Sequence, residues 1–377
     1  MTTTSFRRAI VPGIAALALT LTACGGSDSD AKDNSNGASG ETSANLENLS
    51  GELAIGGASS QESAQNAWMV GFGEVAPNVT VSYDPVGSGT GRENFISGAY
   101  PIAGTDSYLT DDEGELSKAT ERCGGNEPIT IPNYVSPIAV IYNLDGVDNL
   151  QLSPKTLAGI FAGKIKKWDD KAIKADNPDA SLPSEAINAV HRSDESGTTE
   201  NFTDYLTEVA GDVWTAGPVE TWPSEAGGEG GKSTSGVVQA VTDTPNAIGY
   251  ADASQAGGLG QAAIKVGEEF VAPSPEAAAK ILEVSPRVDE NSDVNLAVKL
   301  DHKTQEAGVY PAVLTSYLIA CQSYDDQTEA DLVKGYISYI LSDDGQKIGS
   351  EEAGSAPLGA DLKSKAQAIV DKISAGS

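Results

Sequence analysis

The architecture of the chain is first indicated by residues 53–60, LAIGGASS, where a short apolar run leads into small and hydroxyl-bearing residues. The run Leu53–Ile55 predicts a buried strand, and the residues after Ser60 predict a helix that extends to about Glu74. The same order of strand, small-residue loop and helix recurs from about residue 51 onward. This alternation indicates an α/β fold with open sheets. Ligands of such folds bind beyond the carboxyl ends of the strands, so the loops after the strands are the candidate sites.

Similar patterns predict the other elements. Strands are expected at 79–83, 102–103, 138–142, 187–190, 247–250 and 310–320. Helices are expected at about 111–120, 154–161, 199–209 and 237–241, with two amphipathic helices at the end of the chain. The helix at 111–120 is expected to begin with a capping box, Thr110–Glu113, and the helix at 154–161 with Ser153 as N-cap and Pro154 at the first helical position.

Length and charge restrict the possible functions. The chain has 377 residues, which suits two domains or one large one, and its formal net charge is −30. A charge this negative argues against nucleic acid and anionic lipid headgroups as partners, because both attract basic surfaces. Only two His and three Cys are present, which leaves little material for a zinc site or a histidine-based active site. We therefore expect no metal and no cofactor.

The amino terminus has the features of an export signal. Arg7 and Arg8 precede an apolar run, residues 10–21, which is too short to span a bilayer but suits the core of a signal peptide. The run ends in residues 21–24, Leu-Thr-Ala-Cys, which resemble the lipobox of bacterial lipoproteins. We expect a signal peptide over residues 1–23, a lipidated Cys24, and a flexible tether over residues 24–50. The alternative is a buried amino-terminal helix that ends in an unmodified cysteine.

The other two cysteines, Cys123 and Cys321, would remain in the mature protein. In an oxidising, exported setting the simplest expectation is one disulfide between them. The alternative is two separate buried thiols.

Four loops in strand-to-helix positions carry donors suited to one small oxyanion. They are residues 56–60, 87–91, 103–106 and 192–198, which are rich in Gly, Ser and Thr and include Arg192. Small residues let backbone N–H groups approach an anion, hydroxyl groups add donors, and the guanidinium can grip two oxygens. A tetrahedral oxyanion has enough acceptor oxygens to satisfy all of these donors.

The loop Arg192–Thr198, RSDESGT, resembles the Arg-x-Asp-x-Ser-Gly-Thr loop of PstS, the phosphate-binding protein family of bacterial phosphate ABC transporters. Residues 163–169 and 247–250 are also similar to family segments, and the resemblance covers roughly residues 50–375. It implies a two-lobed α/β fold of the Venus flytrap type, like the type II periplasmic binding proteins, with the ligand in a cleft between the lobes. Lobe 1 would comprise residues 51–135 and 308–377, and lobe 2 residues 136–307. The implied ligand-binding residues are Ser59, the N–H of Ser60, Ser88, Asp106, Arg192, Asp194, Ser196, Gly197 and Thr198.

Asp106 is the informative member of this set. At neutral pH phosphate retains at least one proton and sulfate retains none, so an ionised Asp106 can accept a hydrogen bond from phosphate but meets only lone pairs on sulfate. Asp194 is expected instead to orient Arg192. The family commonly has Thr-Phe where this chain has Ser59-Ser60, so the hydroxyl is kept and an aromatic ring is lost.

The resemblance further implies a non-enzymatic protein on the extracytoplasmic face of the cell membrane. Its partners would be inorganic phosphate, the membrane lipid and the permease subunits of an ABC importer. Another oxyanion, such as sulfate or molybdate, is the first alternative ligand, and a phosphate sensor or scavenger would differ only in its partner. A secreted phosphatase is the enzymatic alternative, suggested by His191 beside the fourth loop. Residues 226–233, AGGEGGKS, fit a loose P-loop expression, but no central strand is expected before them, so they more simply lead into the next helix.

Overall fold

The structure is a computed structural model, and it describes residues 46–112, 114–289 and 292–376. The predicted signal peptide, Cys24 and nearly all of the tether lie outside the described residues. Within these ranges, no helix combines the length and the apolar character that are needed to cross a membrane.

The described residues form fourteen strands and eleven helices. The strands are β1 Ser50–Gly57, β2 Asn78–Asp84, β3 Ile102–Thr105, β4 Ile129–Asn143, β5 Gln151–Leu152, β6 Asn188–Arg192, β7 Glu229–Gly231, β8 Ala247–Asp252, β9 Gly260–Gln261, β10 Ala263–Val266, β11 Glu269–Val271, β12 Val313–Ala320, β13 Ser323–Tyr324 and β14 Ser374–Ala375. The helices are α1 Glu62–Val75, α2 Ser88–Ile96, α3 Glu115–Arg122, α4 Pro154–Phe161, α5 Lys171–Asp176, α6 Gly197–Ala210, α7 Ser233–Asp243, α8 Pro275–Val284, α9 Gln327–Leu341, α10 Asp343–Ala353 and α11 Ala360–Val370.

The main sheet has the strand order β2-β1-β3-β12-β4-β8-β6-β7, and β9 also pairs with β4. The pairs β2–β1, β1–β3, β8–β6 and β6–β7 are parallel, whereas β12 and β4 run antiparallel to both of their neighbours on this path. Parallel strands need helical crossovers, and helices follow β1, β2, β6 and β7 along the chain. The predicted α/β fold is therefore confirmed.

Strand β4 connects the two halves of this sheet. Its residues up to Pro137 pair with β12, and its residues from Ile138 onward pair with β8. All but the last of its 15 residues are buried, as expected for a strand that is covered on both faces. Strands from the start and end of the described chain thus lie on one side of β4, and strands from its middle lie on the other, in agreement with a two-lobed architecture.

Helix α1 packs into the core through Trp68, which is fully buried and donates its indole N–H to the carbonyl oxygen of Gly345, 2.8 Å away. Cys123 and Cys321 form the predicted disulfide, with their Cα atoms 5.2 Å apart. Because Cys321 directly follows β12, this bond ties the end of α3 to the main sheet.

The helix expected at 111–120 begins later than predicted, and Glu113 of the expected capping box lies outside the described residues. Helix α3 begins only at Glu115, because Gly114 lies in the left-handed region at φ 74° and a left-handed residue interrupts the helix. Asp111 instead accepts a hydrogen bond from the backbone N–H of Ser117, at 2.8 Å. The first turn of α3 is therefore stabilised by Asp111, which lies before the helix.

The end of the chain also differs from the expectation. Strand β12 begins at Val313 rather than at residue 310, and three helices follow it where two were expected. Tyr310 lies before the strand and donates its hydroxyl to the carbonyl oxygen of Ile138, at 2.9 Å. The apolar run is continuous because the approach to the strand is buried as well as the strand itself.

Candidate functional site

Three of the four candidate loops follow neighbouring strands. β2, β1 and β3 are adjacent and parallel, so their carboxyl ends meet at one edge of the sheet. Ser60 follows β1, Ser88 begins the helix after β2, and Asp106 follows β3. Ser60 donates its hydroxyl to Oδ1 of Asp106 at 2.7 Å, and the backbone N–H of Asp106 donates to Ser88 Oγ at 3.1 Å. These three loops therefore converge on Asp106.

The fourth loop follows β6, on the other side of β4, and reaches the same carboxylate. Thr198 donates its hydroxyl to Oδ2 of Asp106 at 2.7 Å. Gly197 sits so close to the first group of loops that a Cβ atom there would lie 2.5 Å from Ser107 Oγ and 2.9 Å from Ser88 Oγ. Only glycine therefore permits this approach of the two sides.

Asp106 is 3% exposed and is surrounded by neutral donors. Its carboxylate accepts hydrogen bonds from Ser60, Thr198 and Ser316, the last at 2.6 Å. Burial raises the pKa of Asp106 above its ordinary value, although the three hydroxyl groups and the charge of Arg192 oppose the rise. A buried acceptor of this kind suits a ligand that brings its own proton.

Arg192 and Asp194 form a two-pronged ion pair. Nε of Arg192 donates to Oδ1 of Asp194 at 2.7 Å, and a terminal guanidinium nitrogen donates to Oδ2. Burial alone would raise the pKa of Asp194, but the hydrogen bonds and charge of Arg192 outweigh it and hold that pKa below its ordinary value. Two of the five guanidinium N–H donors are used in this pair, so the fork is fixed in direction while other donors remain for a ligand.

Ser196 caps the helix that carries Gly197 and Thr198. Its hydroxyl accepts a hydrogen bond from the backbone N–H of Thr199 at 3.2 Å, and the residue itself is 1% exposed. The first N–H groups of α6, with their partial positive charge, thus lie beside Asp106 and the other loops. This is the geometry in which helices hold anions.

Ser59 makes its contacts with the segment that follows β7. Its hydroxyl oxygen accepts a hydrogen bond from the N–H of Thr234 at 3.1 Å and lies 3.0 Å from the Thr234 hydroxyl. The neighbouring N–H of Ser233 donates to Oδ1 of Asp194 at 3.1 Å. The glycine-rich residues 226–233 therefore lead into helix α7, as predicted, and they border the candidate site.

Sequence reasoning missed several side chains that complete the site. Asn201 donates from Nδ2 to the carbonyl oxygens of Asp106 and Gly197, at 2.8 Å each. It lies four residues after Gly197 on α6, so helical spacing could have identified it. Ser316 lies within a buried strand far along the chain, and no local pattern distinguishes it there.

Acidic groups lie next to the loops. Arg92 binds Glu115 at 2.9 Å and Glu220 at 2.6 Å, and these residues line a cavity of about 400 Å³. Glu200, on the same cavity, has its pKa raised to about 7, chiefly by burial. The negative charge of the chain thus extends to the neighbourhood of the site.

His191 does not face the fourth loop as a base would. Its ring stacks on Trp222, with the ring centres 4.8 Å apart, and its Nδ1 lies 2.8 Å from the carbonyl oxygen of Arg192. Burial lowers its pKa below the ordinary value. Across the described residues, no cluster of three or more His, Cys, Asp or Glu side chains could hold a metal ion.

Comparison with sequence families gives a match to the PBP superfamily domain over residues 38–344. Phosphate-binding protein PstS 2 of Mycobacterium tuberculosis is 32% identical over 97% of this chain and 98% of its own length. Phosphate-binding protein PstS of Methanocaldococcus jannaschii is 34% identical over 74% of this chain and 75% of its own length.

Solved structures share the fold at lower identity. A high-affinity periplasmic phosphate-binding protein, PfluDING, bound with phosphate, superposes with a TM-score of 0.68 at 20% identity and covers 84% of this chain and 93% of its own. A phosphate-binding protein from Stenotrophomonas maltophilia gives a TM-score of 0.63 at 20% identity with the same coverage. Because both structures are only 20% identical to this chain, they support the two-lobed fold alone.

Proposed function

Because the chain belongs to the PstS family of phosphate-binding proteins, we propose that it binds inorganic phosphate outside the cell and delivers it to a phosphate ABC importer. The observation that carries this proposal is that the fourth loop reaches Asp106. The hydroxyl of Thr198 donates a hydrogen bond to the Asp106 carboxylate at 2.7 Å. Loops from both sides of β4 are needed for that contact. A ligand held there would touch both lobes, as a binding protein of this type requires.

The phosphate would be held by the nine residues that the family resemblance implies: Ser59, Ser60, Ser88, Asp106, Arg192, Asp194, Ser196, Gly197 and Thr198. Arg192 would grip two ligand oxygens while Asp194 fixes its direction. The hydroxyl groups of Ser60 and Thr198 would turn from Asp106 to the ligand, and Asp106 would accept a hydrogen bond from the protonated oxygen of phosphate. The fully buried positions of Ser60 and Thr198 support a ligand that is enclosed after it binds.

The lobes would be those expected from the sequence, residues 51–135 with 308–377 and residues 136–307. The change of partner along β4, from β12 to β8 between Pro137 and Ile138, supports a boundary near residue 136. Hinge motion about this boundary would close the cleft and give the permease subunits one shape to recognise.

The protein would be held at the extracytoplasmic face of the membrane through a lipid on Cys24, with residues 24–50 as the tether. The lipobox-like residues 21–24 support this anchor. Replacement of Cys24 by Ala should release the protein from the membrane fraction, and labelled palmitate should be found on the wild-type chain alone. Equal membrane retention and labelling of both would disprove the anchor.

The ligand would leave unchanged, so no catalysis is proposed. The stacking of His191 on Trp222 supports this view, because Nδ1 of the ring contacts the carbonyl oxygen of Arg192 rather than the carboxylate that a catalytic triad needs there. Release of inorganic phosphate from a simple phosphate ester by the purified protein would instead support the phosphatase alternative.

Calorimetric titration of the purified chain, stripped of ligand by partial unfolding and refolding, tests the main proposal. We expect one phosphate per chain, bound tightly at neutral pH, and no detectable heat with sulfate. Binding of sulfate or molybdate in preference to phosphate would replace the proposed ligand. Failure to bind any of the three would refute the function.

A further inference from the structure

A chain of buried side chains runs from the carboxylate of Asp106 into the first half of the sheet. Ser316 donates to Asp106 Oδ1 at 2.6 Å, and Gln61 Nε2 donates to Ser316 Oγ at 2.6 Å. Gln65 Nε2 in turn donates to Gln61 Oε1 at 2.8 Å, and the Tyr336 hydroxyl donates to Gln65 Oε1 at 2.8 Å. None of these side chains is more than 3% exposed. Every donor in the chain points towards Asp106.

The direction of this chain is fixed by its own contacts. Gln61 Nε2 also donates to the backbone carbonyl oxygen of Tyr317 at 3.2 Å, which only a donor can approach. Gln61 Oε1 accepts from Asn133 Nδ2 at 3.1 Å as well as from Gln65. The amide of Gln61 is therefore oriented with its NH₂ group towards Ser316. Since the Ser316 oxygen accepts this bond, its single hydrogen is free for Asp106.

Ser316 differs from the other two donors to Asp106. Ser60 lies in the short turn after β1 and Thr198 in the first turn of α6, where their hydroxyl groups can turn to a ligand. Ser316 lies within β12, and its oxygen is already engaged by Gln61. Its hydrogen can go to Asp106 at 2.6 Å or to the carbonyl oxygen of Thr105 at 3.2 Å, and the shorter bond is to the carboxylate. Ser316 is thus the donor that stays on Asp106 when a ligand enters.

We propose that Gln61 and Ser316 are positioning residues that hold Asp106 as an acceptor of hydrogen bonds and so set the preference for a protonated oxyanion. This inference rests on the proposed function. A hydroxyl donor on Oδ1 favours the ionised carboxylate. Without it, Asp106 can take up a proton in its buried site and become a donor. A protonated Asp106 can bind the bare oxygens of sulfate, so the chain of donors acts on selectivity.

Replacement of Ser316 by Ala tests the last step of the chain, with Thr315→Val as the matched control. Thr315 is the neighbour of Ser316 on β12, equally buried, and its Oγ1 has no hydrogen-bond partner within the described residues. We expect Ser316→Ala to lower the ratio of the sulfate Kd to the phosphate Kd by at least about tenfold, the value of one hydrogen bond to a charged group. The ratio should be unchanged in Thr315→Val. Competition of sulfate against labelled phosphate at neutral pH measures it.

Replacement of Gln61 by Glu tests the direction of the chain without removing a side chain. A carboxyl group at position 61 has no NH₂ group to engage the Ser316 oxygen, so the hydrogen of Ser316 is no longer directed to Asp106. We expect the same loss of selectivity as in Ser316→Ala. Ser316→Thr, which keeps the hydroxyl, should retain the wild-type ratio. Thermal unfolding of each variant identifies any that do not fold.

The outcomes separate this inference from the proposed function. If the wild-type protein does not bind phosphate, the proposed function fails. If it binds phosphate selectively but folded Ser316→Ala and Gln61→Glu match Thr315→Val in their selectivity, the function stands and the positioning role is refuted.

Discussion

Asp106 and Asp194 lie on the two sides of the candidate site. Both are partly or fully buried, but their pKa values are shifted in opposite directions. Asp106, at the end of β3, is met by the hydroxyl groups of Ser60, Thr198 and Ser316, and its pKa is raised by burial. Asp194, after β6, forms an ion pair with the guanidinium of Arg192, and its pKa is lowered despite burial. The difference lies in the partner rather than in the carboxylate.

This contrast shows how one site can both attract and select an anion. The ion pair on the Asp194 side is already neutral and supplies a rigid set of donors. The Asp106 side supplies a carboxylate on which the described residues place no counter-ion in direct contact, and an anion can approach it only by bringing a proton. Under the proposed function, affinity and selectivity would lie on different sides of the molecule.

The largest expected effect comes from the cationic side. Replacement of Arg192 by Gln leaves Asp194 buried without its counter-ion, and loss of one partner of a buried pair costs about 3–5 kcal/mol. We expect the affinity for phosphate to fall by at least about 100-fold, measured by calorimetry. Lys155→Gln is the control. It also removes one positive charge, but its ion pair with Asp212 is exposed and is not part of the candidate site. Equal losses in the two variants would mean that the effect is one of overall charge.

Asp106→Asn should produce a smaller loss of affinity and a larger loss of selectivity. An amide at position 106 can donate to sulfate and still accept from phosphate through its carbonyl oxygen. We expect rejection of sulfate to weaken at least about tenfold, and by more than phosphate binding weakens. Competition between the two anions measures this. Equal rejection of sulfate by the variant and the wild type would show that Asp106 does not read the ligand's proton.

Ser60→Ala should have a more modest effect. It removes one neutral donor to Asp106 at a position where the family commonly carries an aromatic residue. We expect about a fivefold loss of phosphate affinity, equivalent to about 1 kcal/mol for one hydrogen bond. Ser97→Ala, which removes an exposed hydroxyl bonded to the carbonyl oxygen of Asn94, is the control and should be silent. If Ser60→Ala is equally silent, the hydroxyl does not replace the lost ring in binding.

The smallest expected effect is a difference of sign in the pH dependence of stability. The pKa of Asp194 lies below 3.8 in the folded chain, so its contribution is complete above the unfolded value and is lost as the pH falls through the folded pKa. The pKa of Asp106 lies above 3.8, so its contribution falls as the pH rises from the unfolded value through the folded pKa. Free energies of unfolding of Asp106→Asn and Asp194→Asn, each subtracted from the wild type between pH 3 and 7, should have opposite slopes. Slopes of the same sign would contradict the contrast between the two acids.

Much of the fold was predictable because its signals are local. Strand–helix alternation, the Ser153-Pro154 start of α4 and the apolar run of β12 can all be read within a few residues. The start of α3 was misplaced because Gly114, a left-handed residue directly before the helix, follows the apparent capping box. The short sheet β11-β10-β5 carries too few residues for a pattern.

The site was predictable to the extent that it lies on loops after strands. The sequence placed Ser60, Asp106, Arg192 and Thr198 in such loops, and a family motif joined them. Ser316 and Gln61 could not be found in this way, because Ser316 contacts Asp106 from a position 210 residues away along the chain and Gln61 acts only through Ser316. Only the pairing of β12 with β3 brings Ser316 beside the carboxylate.

The shared strand β4 has a consequence for how the chain folds. A single 15-residue strand supplies an inner neighbour to β12 through one half and to β8 through the other. A fragment that lacked β4 would leave β12 and β8 with open edges, and exposed edges of buried strands invite aggregation. The two lobes are therefore expected to melt as one cooperative unit, and neither should be obtainable as a separate soluble domain.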